Sequence, residues 1–308
     1  MTSTGNSSSL VPPDAWDNHI HVFEPDKRPY SPKRSYTPAG VPLDSYPHKA
    51  TGCANIVIVQ ATVQGTSPVP LVDVLTRYHQ TVQATEGILR GLTVLDLDET
   101  TDEELDKLHA VGVRGIRMHE VSWGFGDQTT DDAVANKIQS AAKRLSRLDW
   151  VIDLYMHPKA WKAIAPTIEA LPGSTKVVAD HWAGFRPGDE TSPEFQTFLE
   201  LVRHRRIFVK LSAFERQYHG NPKGASAMEP LARALVALGS DRLIYGSDWP
   251  NTALASSRDG KTIEQRLNEV EGFRNVDHEL HINHLREWIT DEEVWRKFWV
   301  ETPASLFK

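Results

Sequence analysis

The chain has 308 residues, of which 40% are hydrophobic and 24% charged, and its formal net charge is −7. This composition is typical of a globular protein and excludes a disordered chain, which would carry far fewer apolar residues. The mild acidity argues against a nucleic-acid-binding protein, because such proteins usually carry a clustered basic surplus.

Targeting signals and disulfides are also missing from the sequence. No apolar run approaches the ~20 residues that a membrane span needs, and the polar N-terminus does not have the pattern of a signal peptide. The single cysteine, Cys53, rules out an internal disulfide and a cysteine-based zinc site. We therefore expect a cytoplasmic protein that binds neither nucleic acid nor membranes.

Short β-rich segments alternate with amphipathic helical segments along almost the whole chain. Several of the β-rich segments are nearly continuous apolar runs, as expected for strands that are covered on both faces. Helical periodicity is clearest in 71–84, 101–112 and 230–240. The predicted strands are 15–23, 54–60, 88–96, 113–119, 150–157, 176–181, 206–212 and 242–248.

Eight strands with helical connections predict an α/β fold, a single (β/α)8 TIM-like barrel over residues 15–308. We expect residues 1–14 to form a disordered or extended tail. The breaker-rich stretches 24–48 and 184–193 are expected to be long loops rather than domain linkers. An open doubly wound sheet is the alternative, but no Gly-rich phosphate loop follows any predicted strand, so its nucleotide-binding versions lack support.

Residues suited to chemistry stand at the ends of the predicted strands, where a parallel barrel places its active site. They are His19, His21, Gln60, His119, His157, His181 and Asp248. Because His19 and His21 are two residues apart on one strand, they share a face. Two such imidazoles, with a further histidine and a carboxylate from other strands, form the ligand set that a catalytic zinc ion favours.

Taken singly, these residues have simpler structural explanations. A strand-end histidine such as His119 often only forms structural hydrogen bonds, and Asp248 could be a helix N-cap. Lys210 lies inside a strand, where pairing with a buried acid is the simplest interpretation. The recurrence of reactive residues at independent strand ends is what indicates catalysis.

Aromatic and histidine side chains outside these positions fall into three groups. Bulky rings in or next to predicted strand-end loops would suit a planar ligand: they are Trp123, Phe125, Trp182, Phe214 and Trp249. Rings at helical spacing near the C-terminus are expected to pack instead: they are Trp288, Trp295 and Trp299. A third set is expected to form a solvated or hydrogen-bonded helical face: His278, His281 and His284.

The order of motifs along the chain resembles the amidohydrolase superfamily. The motifs are DNHIHVF (17–23), LYMHP (154–158), ADHWAG (179–184), YGSDWP (245–250) and TPASLF (302–307). The chain is most similar to the amidohydrolase-related branch that contains 2-pyrone-4,6-dicarboxylate lactonase and related sugar lactonases. The resemblance extends from Trp16 to Phe307.

The resemblance implies roles for individual residues. Asp248 matches the aspartate that acts as general base on the attacking water, and His181 matches the sixth-strand histidine. Arg117 and Arg216 match arginines that hold substrate carboxylates, although Arg117 has an alternative as the ion-pair partner of a barrel-rim carboxylate such as Glu120. The expected substrate-binding residues are these two arginines, Arg117 and Arg216, together with Tyr155, Gln60 and Trp182.

The same resemblance leaves the metal open. The pyrone dicarboxylate lactonase works without a metal and has a carboxylate where this chain has His157. The LYMHP segment is more similar to the metal-dependent decarboxylases of the superfamily, which bind one zinc ion. That match implies one divalent ion, zinc before others, with a metal-independent reaction as the alternative. The implied ligands are His19, His21, His157 and Asp248.

The expected function is hydrolysis of a lactone, or a similar cyclic ester, of a carboxylated or aromatic-derived small molecule. Asp248 would activate the water, and the strand-end histidines or their metal would polarise the carbonyl. One alternative is a metal-dependent non-oxidative decarboxylase with the same ligands. Another is a barrel without catalysis that serves as a binding protein. A homo-oligomer also stays open, because barrels of this size often associate.

Overall fold

The protein is described by a computed structural model that covers residues 10–81, 87–119 and 131–308. Eight parallel strands form one sheet in the order β1-β3-β4-β5-β6-β7-β8-β9. All eight predicted strands are present. They are β1 (Trp16–Ile20), β3 (Asn55–Val59), β4 (Leu89–Thr93), β5 (Val113–His119), β6 (Val151–Tyr155), β7 (Lys176–Ala179), β8 (Phe208–Ser212) and β9 (Leu243–Gly246).

Helices connect successive strands, as the amphipathic periodicity predicts. The described helices are α1 (His48–Thr51), α2 (Val69–Thr81), α3 (Asp102–Ala110), α4 (Asp131–Leu145), α5 (Pro158–Ala170), α6 (Pro193–Arg203), α7 (Phe214–Gln217), α8 (Glu229–Gly239), α9 (Ile263–Asn268), α10 (His278–Trp288), α11 (Glu292–Arg296) and α12 (Thr302–Phe307). Among them, none combines the length and apolar composition that a membrane span requires.

The two edge strands of the sheet, β1 and β9, meet at their carboxyl ends. The backbone N–H of His21 donates to the carbonyl of Trp249 at 2.7 Å, and that of Asp248 donates to the carbonyl of His19 at 2.9 Å. These bonds bring the edges together, so the sheet forms the predicted (β/α)8 barrel. The open-sheet alternative is therefore wrong.

The interior of the barrel changes from apolar to charged along its axis. Val151 on β6 and Val178 on β7 belong to an apolar cluster that also includes residues of α12. Two residues further along the chain stand Asp153 and Asp180, which are completely buried. Because residues two apart on a strand share a face, an apolar layer near the amino ends is followed by a charged layer nearer the active-site end.

The long loops pack against each other outside the barrel. Two short strands, β2 (Thr37–Pro38) in the N-terminal loop and β10 (Val270–Glu271), pair in parallel. The tail is anchored from its tenth residue onward, since Val11 is buried and the indole N–H of Trp295 donates to the carbonyl of Leu10 at 2.9 Å.

The C-terminal rings pack as expected, but the histidines of α10 are less exposed than a solvated face would be. Trp288, Trp295 and Trp299 are buried, and so are His278 and His281. The imidazole of His281 lies 3.1 Å from the hydroxyl of Tyr218 and stacks on Phe214. Of the two interpretations for these histidines, the hydrogen-bonded face is the one observed for His281.

Candidate active site

A cleft of about 530 Å³ opens at the carboxyl ends of β5 and β6. Its walls include His119, Tyr155, His157, Lys159, Arg186 and Arg216. The ring of Tyr155 lies 4.9 Å from the ring of His181, and Nη2 of Arg216 lies 3.7 Å from Oδ2 of Asp248. The cleft therefore borders the strand-end histidines and aspartate that the sequence predicts.

Three imidazoles converge on the carboxylate of Asp248. Its Oδ1 lies 3.8 Å from Nε2 of His19, 3.6 Å from Nε2 of His21 and 3.9 Å from Nε2 of His181. All four side chains are buried. Three strand ends, those of β1, β7 and β9, thus deliver the predicted catalytic residues to one point.

Local backbone geometry explains how these side chains meet. The pairing of β1 with β3 shifts register between Asp17 and Ile20, and Asp248 has a left-handed φ of 57°. Gly246 makes room: a Cβ there would lie 2.7 Å from Cβ of His19. A larger residue at position 246 would displace His19 from the group.

Hydrogen bonds fix the orientation of the two histidines from β1. Nδ1 of His21 lies 2.7 Å from the carbonyl oxygen of Val59, and Nδ1 of His19 lies 3.1 Å from Oδ1 of Asp180. Since a carbonyl or carboxylate oxygen only accepts, Nδ1 carries the hydrogen in both rings. The Nε2 lone pairs of His19 and His21 therefore face Asp248. Burial also lowers the pKa of His19 well below its usual value, which keeps the ring neutral.

This arrangement fits a metal cation. Nε2 of His19 and Oδ2 of Asp248 are buried and have no hydrogen-bond partner among the described residues. Ligand atoms of His19, His21 and Asp248 all lie within 4.8 Å of one another. The two imidazole lone pairs and the carboxylate are all hydrogen-bond acceptors, and among the described residues no donor stands between them. A divalent ion with nitrogen and oxygen ligands would satisfy all three.

A second group of possible ligands, His19, Asp180 and His181, meets the same distance criterion. Its carboxylate already has cationic partners, however. Nζ of Lys210 lies 2.9 Å from Oδ1 of Asp180, and Nε of Arg117 lies 3.1 Å from Oδ2. Because both oxygens are occupied by protein cations, this group does not need a metal.

His181 lies in an unusual left-handed turn. The φ angles of His181, Trp182 and Ala183 are 53°, 57° and 54°, a region that costs about 1–2 kcal/mol per non-glycine residue. The hydroxyl of Ser212 lies 2.8 Å from Nδ1 of His181, and the amide of Gln217 donates to its carbonyl at 3.1 Å. These bonds hold the turn and aim the ring at Asp248.

Electrostatics give the catalytic pair complementary states at neutral pH. Burial lowers the pKa of His181 to about 4, so its ring is neutral. Burial alone would raise the pKa of the Asp248 carboxyl, but the surrounding imidazoles, His181 first among them, and the charge of Arg216 outweigh it and hold that pKa well below its usual value. Asp248 is therefore ionised and able to accept a proton.

His157 is not brought to this group. The residue is exposed, forms the N-cap of α5, and its Nδ1 accepts the backbone N–H of Lys159 at 3.3 Å. Neither of the ligand groups found among the described residues includes it. Three of the four predicted metal ligands thus lie together, and His157 lies instead on the wall of the cleft.

Tyr155 and Arg216 line the cleft, whereas Arg117 lies beside His181. Arg117 is buried, its Nη2 lies 3.5 Å from Nε2 of His181, and its guanidinium lies 5.9 Å from the ring centre of Tyr155. Among the described residues, the carboxylate that pairs with Arg117 is the buried Asp180. Glu120 lies outside the described residues.

Gln60 is placed as a structural residue. Its amide nitrogen donates to the carbonyls of Gly65 and Ser67, both at 2.8 Å, and its oxygen accepts the hydroxyl of Thr93 at 2.7 Å. These bonds use both hydrogens of the amide, so the side chain fixes the loop after β3 instead of facing a substrate.

Trp182 also points away from the cleft. Its indole is buried against Phe214 and Trp288, with ring centres 4.8 and 6.4 Å away. Trp182 therefore anchors the left-handed turn that carries His181. Two other predicted aromatic residues, Trp123 and Phe125, lie outside the described residues.

Sequence reasoning missed the charged layer beneath the histidines. Asp153, Asp180 and Lys210 are completely buried, and Lys210 pairs with buried acids as its position inside a strand suggested. A usable signal was present, because each is a charged residue within or at the end of an otherwise apolar run. Each of these three residues lies two positions from another inward-facing residue, and this spacing predicts that its side chain points into the barrel.

Comparison with known proteins agrees with this geometry. Residues 16–308 match the family Amidohydro_2, described as amidohydrolase. The 4-sulfomuconolactone hydrolase of Hydrogenophaga intermedia is 29% identical over 302 residues, covering 97% of this chain and 90% of that protein. The 2-pyrone-4,6-dicarboxylate hydrolase of Comamonas testosteroni is 31% identical over 259 residues, covering 79% of each. A crystal structure of an Agrobacterium tumefaciens protein in its apo form superposes with a TM-score of 0.73 at 18% identity over 96% of both chains.

Proposed function

Because the chain belongs to the amidohydrolase family, we propose that it is a hydrolase that opens a lactone, or a similar cyclic ester, of a carboxylated or aromatic-derived small molecule. One observation carries this proposal: an ionised carboxylate, Asp248, stands where three imidazoles meet, beside an arginine at the edge of the cleft. The relatives named as lactone hydrolases support the same reaction class.

Asp248 acts as the general base. Its carboxylate accepts a proton from the water that attacks the lactone carbonyl, and it returns the proton to the ring oxygen as the carbon–oxygen bond breaks. The low pKa of Asp248 keeps it ionised before the attack. Since each turnover both takes up and releases one proton, Asp248 is ready for the next cycle when the hydroxy acid leaves.

The cationic and neutral groups around Asp248 orient the substrate. Arg117 and Arg216 bind a carboxylate, or a group of similar charge, by charge-assisted hydrogen bonds. His181 lies between Asp248 and Arg117, and faces the carbonyl that is attacked. If Ser212 donates its hydroxyl hydrogen to Nδ1, then Nε2 of His181 carries a hydrogen and donates it to the developing oxyanion.

His19, His21 and Asp248 would hold a divalent metal ion, with zinc expected from the nitrogen and oxygen donors. When bound, such an ion supplies Lewis acidity and lowers the pKa of a coordinated water. Two hydrogen bonds orient the ligands for such an ion in advance. The bonds of His19 to Asp180 and of His21 to Val59 direct both Nε2 lone pairs to one point.

The decarboxylase alternative is not favoured. It relied on His157 as a fourth ligand, and that side chain lies on the cleft wall. The named relatives are hydrolases of lactones.

The test is a product assay with purified protein. We expect 2-pyrone-4,6-dicarboxylate, 4-sulfomuconolactone or a related anionic lactone to gain the mass of one water, and the Asp248→Asn variant to lose that activity. A panel of carboxylated phenols, assayed in parallel, should be unchanged. Loss of carbon dioxide from a phenol, with every lactone left intact, would establish the decarboxylase instead.

A further inference from the structure

A charged cluster lies in the barrel directly beneath the histidines of the site, and the proposed mechanism gives no role to its lysine. It consists of Lys210, Asp153, Asp180 and Arg117, all buried. Nζ of Lys210 lies 2.7 Å from Oδ2 of Asp153 and 2.9 Å from Oδ1 of Asp180. A completely buried lysine is rare, because removal of an ammonium group from water is unfavourable unless the charge is paired.

Asp180 is shared between two functional side chains. Its Oδ1 accepts from Nδ1 of His19 at 3.1 Å, and its Oδ2 accepts from Nε of Arg117 at 3.1 Å. The histidine faces the carboxylate of Asp248, while the arginine lies next to His181. One carboxylate therefore sets the orientation of a group that holds the reaction centre and of a group that binds the substrate.

Lys210 explains why Asp180 is divided in this way. An arginine beside a free carboxylate prefers a two-pronged contact that uses both oxygens. Here the ammonium of Lys210 shares Oδ1 with His19, so Arg117 bonds to Oδ2 through Nε alone and keeps Nη2 within 3.5 Å of His181. Asp153, which bonds to Lys210 from the other side, holds the ammonium in place.

We propose that Lys210 is a positioning residue: by binding Oδ1 of Asp180 alongside His19 it fixes the orientation of that carboxylate and confines Arg117 to Oδ2, and so aligns the metal- or water-facing side of the site with its anion-binding side. The role in substrate binding rests on the proposed lactone hydrolysis, whereas the role toward His19 does not. A merely structural Lys210 would only neutralise the two buried aspartates.

Charge balance separates the two roles. The single variant Lys210→Met leaves Asp153 buried without its cation and should be strongly destabilised. The double variant Lys210→Met with Asp153→Asn removes one positive and one negative charge, so we expect a thermal midpoint much closer to that of the parent. As a first control, Asp153→Asn alone keeps the ammonium of Lys210, from which the asparagine oxygen can still accept, and shows the effect of losing the Asp153 charge by itself. A second control, Lys176→Met, removes a lysine–aspartate pair at the amino end of the barrel.

The decisive measurement is ¹⁵N NMR of the histidine side chains, with His19 assigned by substitution. We expect the parent and both controls to show one His19 tautomer, with hydrogen on Nδ1, and the double variant to lose it. Zinc binding, titrated with the metal alone, should weaken by about 10–100-fold, as is typical for outer-shell partners of a ligand. Asp180→Asn, which has one acceptor oxygen instead of two, should have the same effects.

Kinetics complete the test. The double variant should show both a higher KM for anionic lactones and a lower kcat, since Arg117 and His19 are displaced together. A stable double variant with parent-like His19 signals, zinc affinity and KM would overturn the proposal. If the NMR and zinc results hold but no lactone is turned over by any form, the proposed function fails and the positioning of His19 stands.

Discussion

Nη2 of Arg216 lies 3.7 Å from Oδ2 of Asp248, an oxygen that has no hydrogen-bond partner among the described residues. The guanidinium is held there by the carbonyl of Thr252, to which Nη2 donates at 3.2 Å. Because Arg216 also lines the cleft, a substrate anion bound to it would lie directly beside Asp248, the proposed general base.

Substitution of Arg216 should discriminate between charged and neutral substrates. A hydrogen bond to a charged group contributes about 1.5–3 kcal/mol, so we expect Arg216→Gln to lower kcat/KM for an anionic lactone by about 10–100-fold more than for a neutral one. Arg186→Gln, on the same cleft but exposed, is the control and should have a small effect. Equal losses on both substrates would contradict a direct role in anion binding.

Asp248→Asn keeps the shape of the side chain but removes the base. General-base catalysis contributes about 10²–10⁴-fold, and we expect kcat to fall within that range while the thermal midpoint stays near that of the parent. Asp189→Asn changes another carboxylate of the cleft and should leave kcat unchanged. Turnover by the Asp248→Asn variant within a few-fold of the parent would show that the base is elsewhere.

Metal content should depend on His21 and not on His157. After zinc loading and desalting, elemental analysis is expected to find bound zinc in the parent and in His157→Gln, and much less in His21→Gln. The reason is that His21 faces Asp248 at 3.6 Å, whereas His157 caps α5. A parent with less than ~0.2 ion per chain and full activity after chelation would establish the metal-independent reaction.

Stability should fall in mild acid because of His281. Burial lowers the pKa of this imidazole to about 3 in the folded protein, from an ordinary 6.5. Below pH 6.5 the imidazole is protonated in the unfolded chain but stays neutral in the folded protein. The contribution of His281 to the free energy of unfolding is therefore complete above that pH and is lost progressively toward pH 3. When the pH falls from about 7.5 to 4.5, the free energy of unfolding should decrease in both proteins. We expect the decrease in the parent to be about 2–3 kcal/mol larger than that in His281→Gln.

Urea unfolding at several pH values measures this difference directly. Many carboxylates also contribute to acid unfolding, and they cancel in the comparison of parent and variant. His284→Gln, on the same helix but partly exposed and paired with Glu287, is the control and should follow the parent. Parallel curves for the parent and His281→Gln would mean that His281 does not resist protonation in the fold.

The site was only partly predictable from the chain. His19, His21, His181 and Asp248 could be identified because strand ends in a parallel barrel share one rim. His157 carried the same signal, yet its side chain turns outward to cap α5. Gln60 and Trp182 illustrate the same limit: a polar or aromatic residue at a strand end either faces the cleft or fixes the loop behind it, and only the backbone path decides.

The sequence by itself determined the barrel and most of its reactive rim, since both follow from local periodicity, from the position of residues at strand ends and from the order of motifs. Only the tertiary structure decided which partners those residues have. Asp180, directly after β7, joins His19 of β1, Arg117 of β5 and Lys210 of β8, which are dozens of positions away in the chain. The alternation of residues along one strand shows which way a side chain faces. A buried charge pair depends instead on the distance between strands, and closure of the barrel sets that distance.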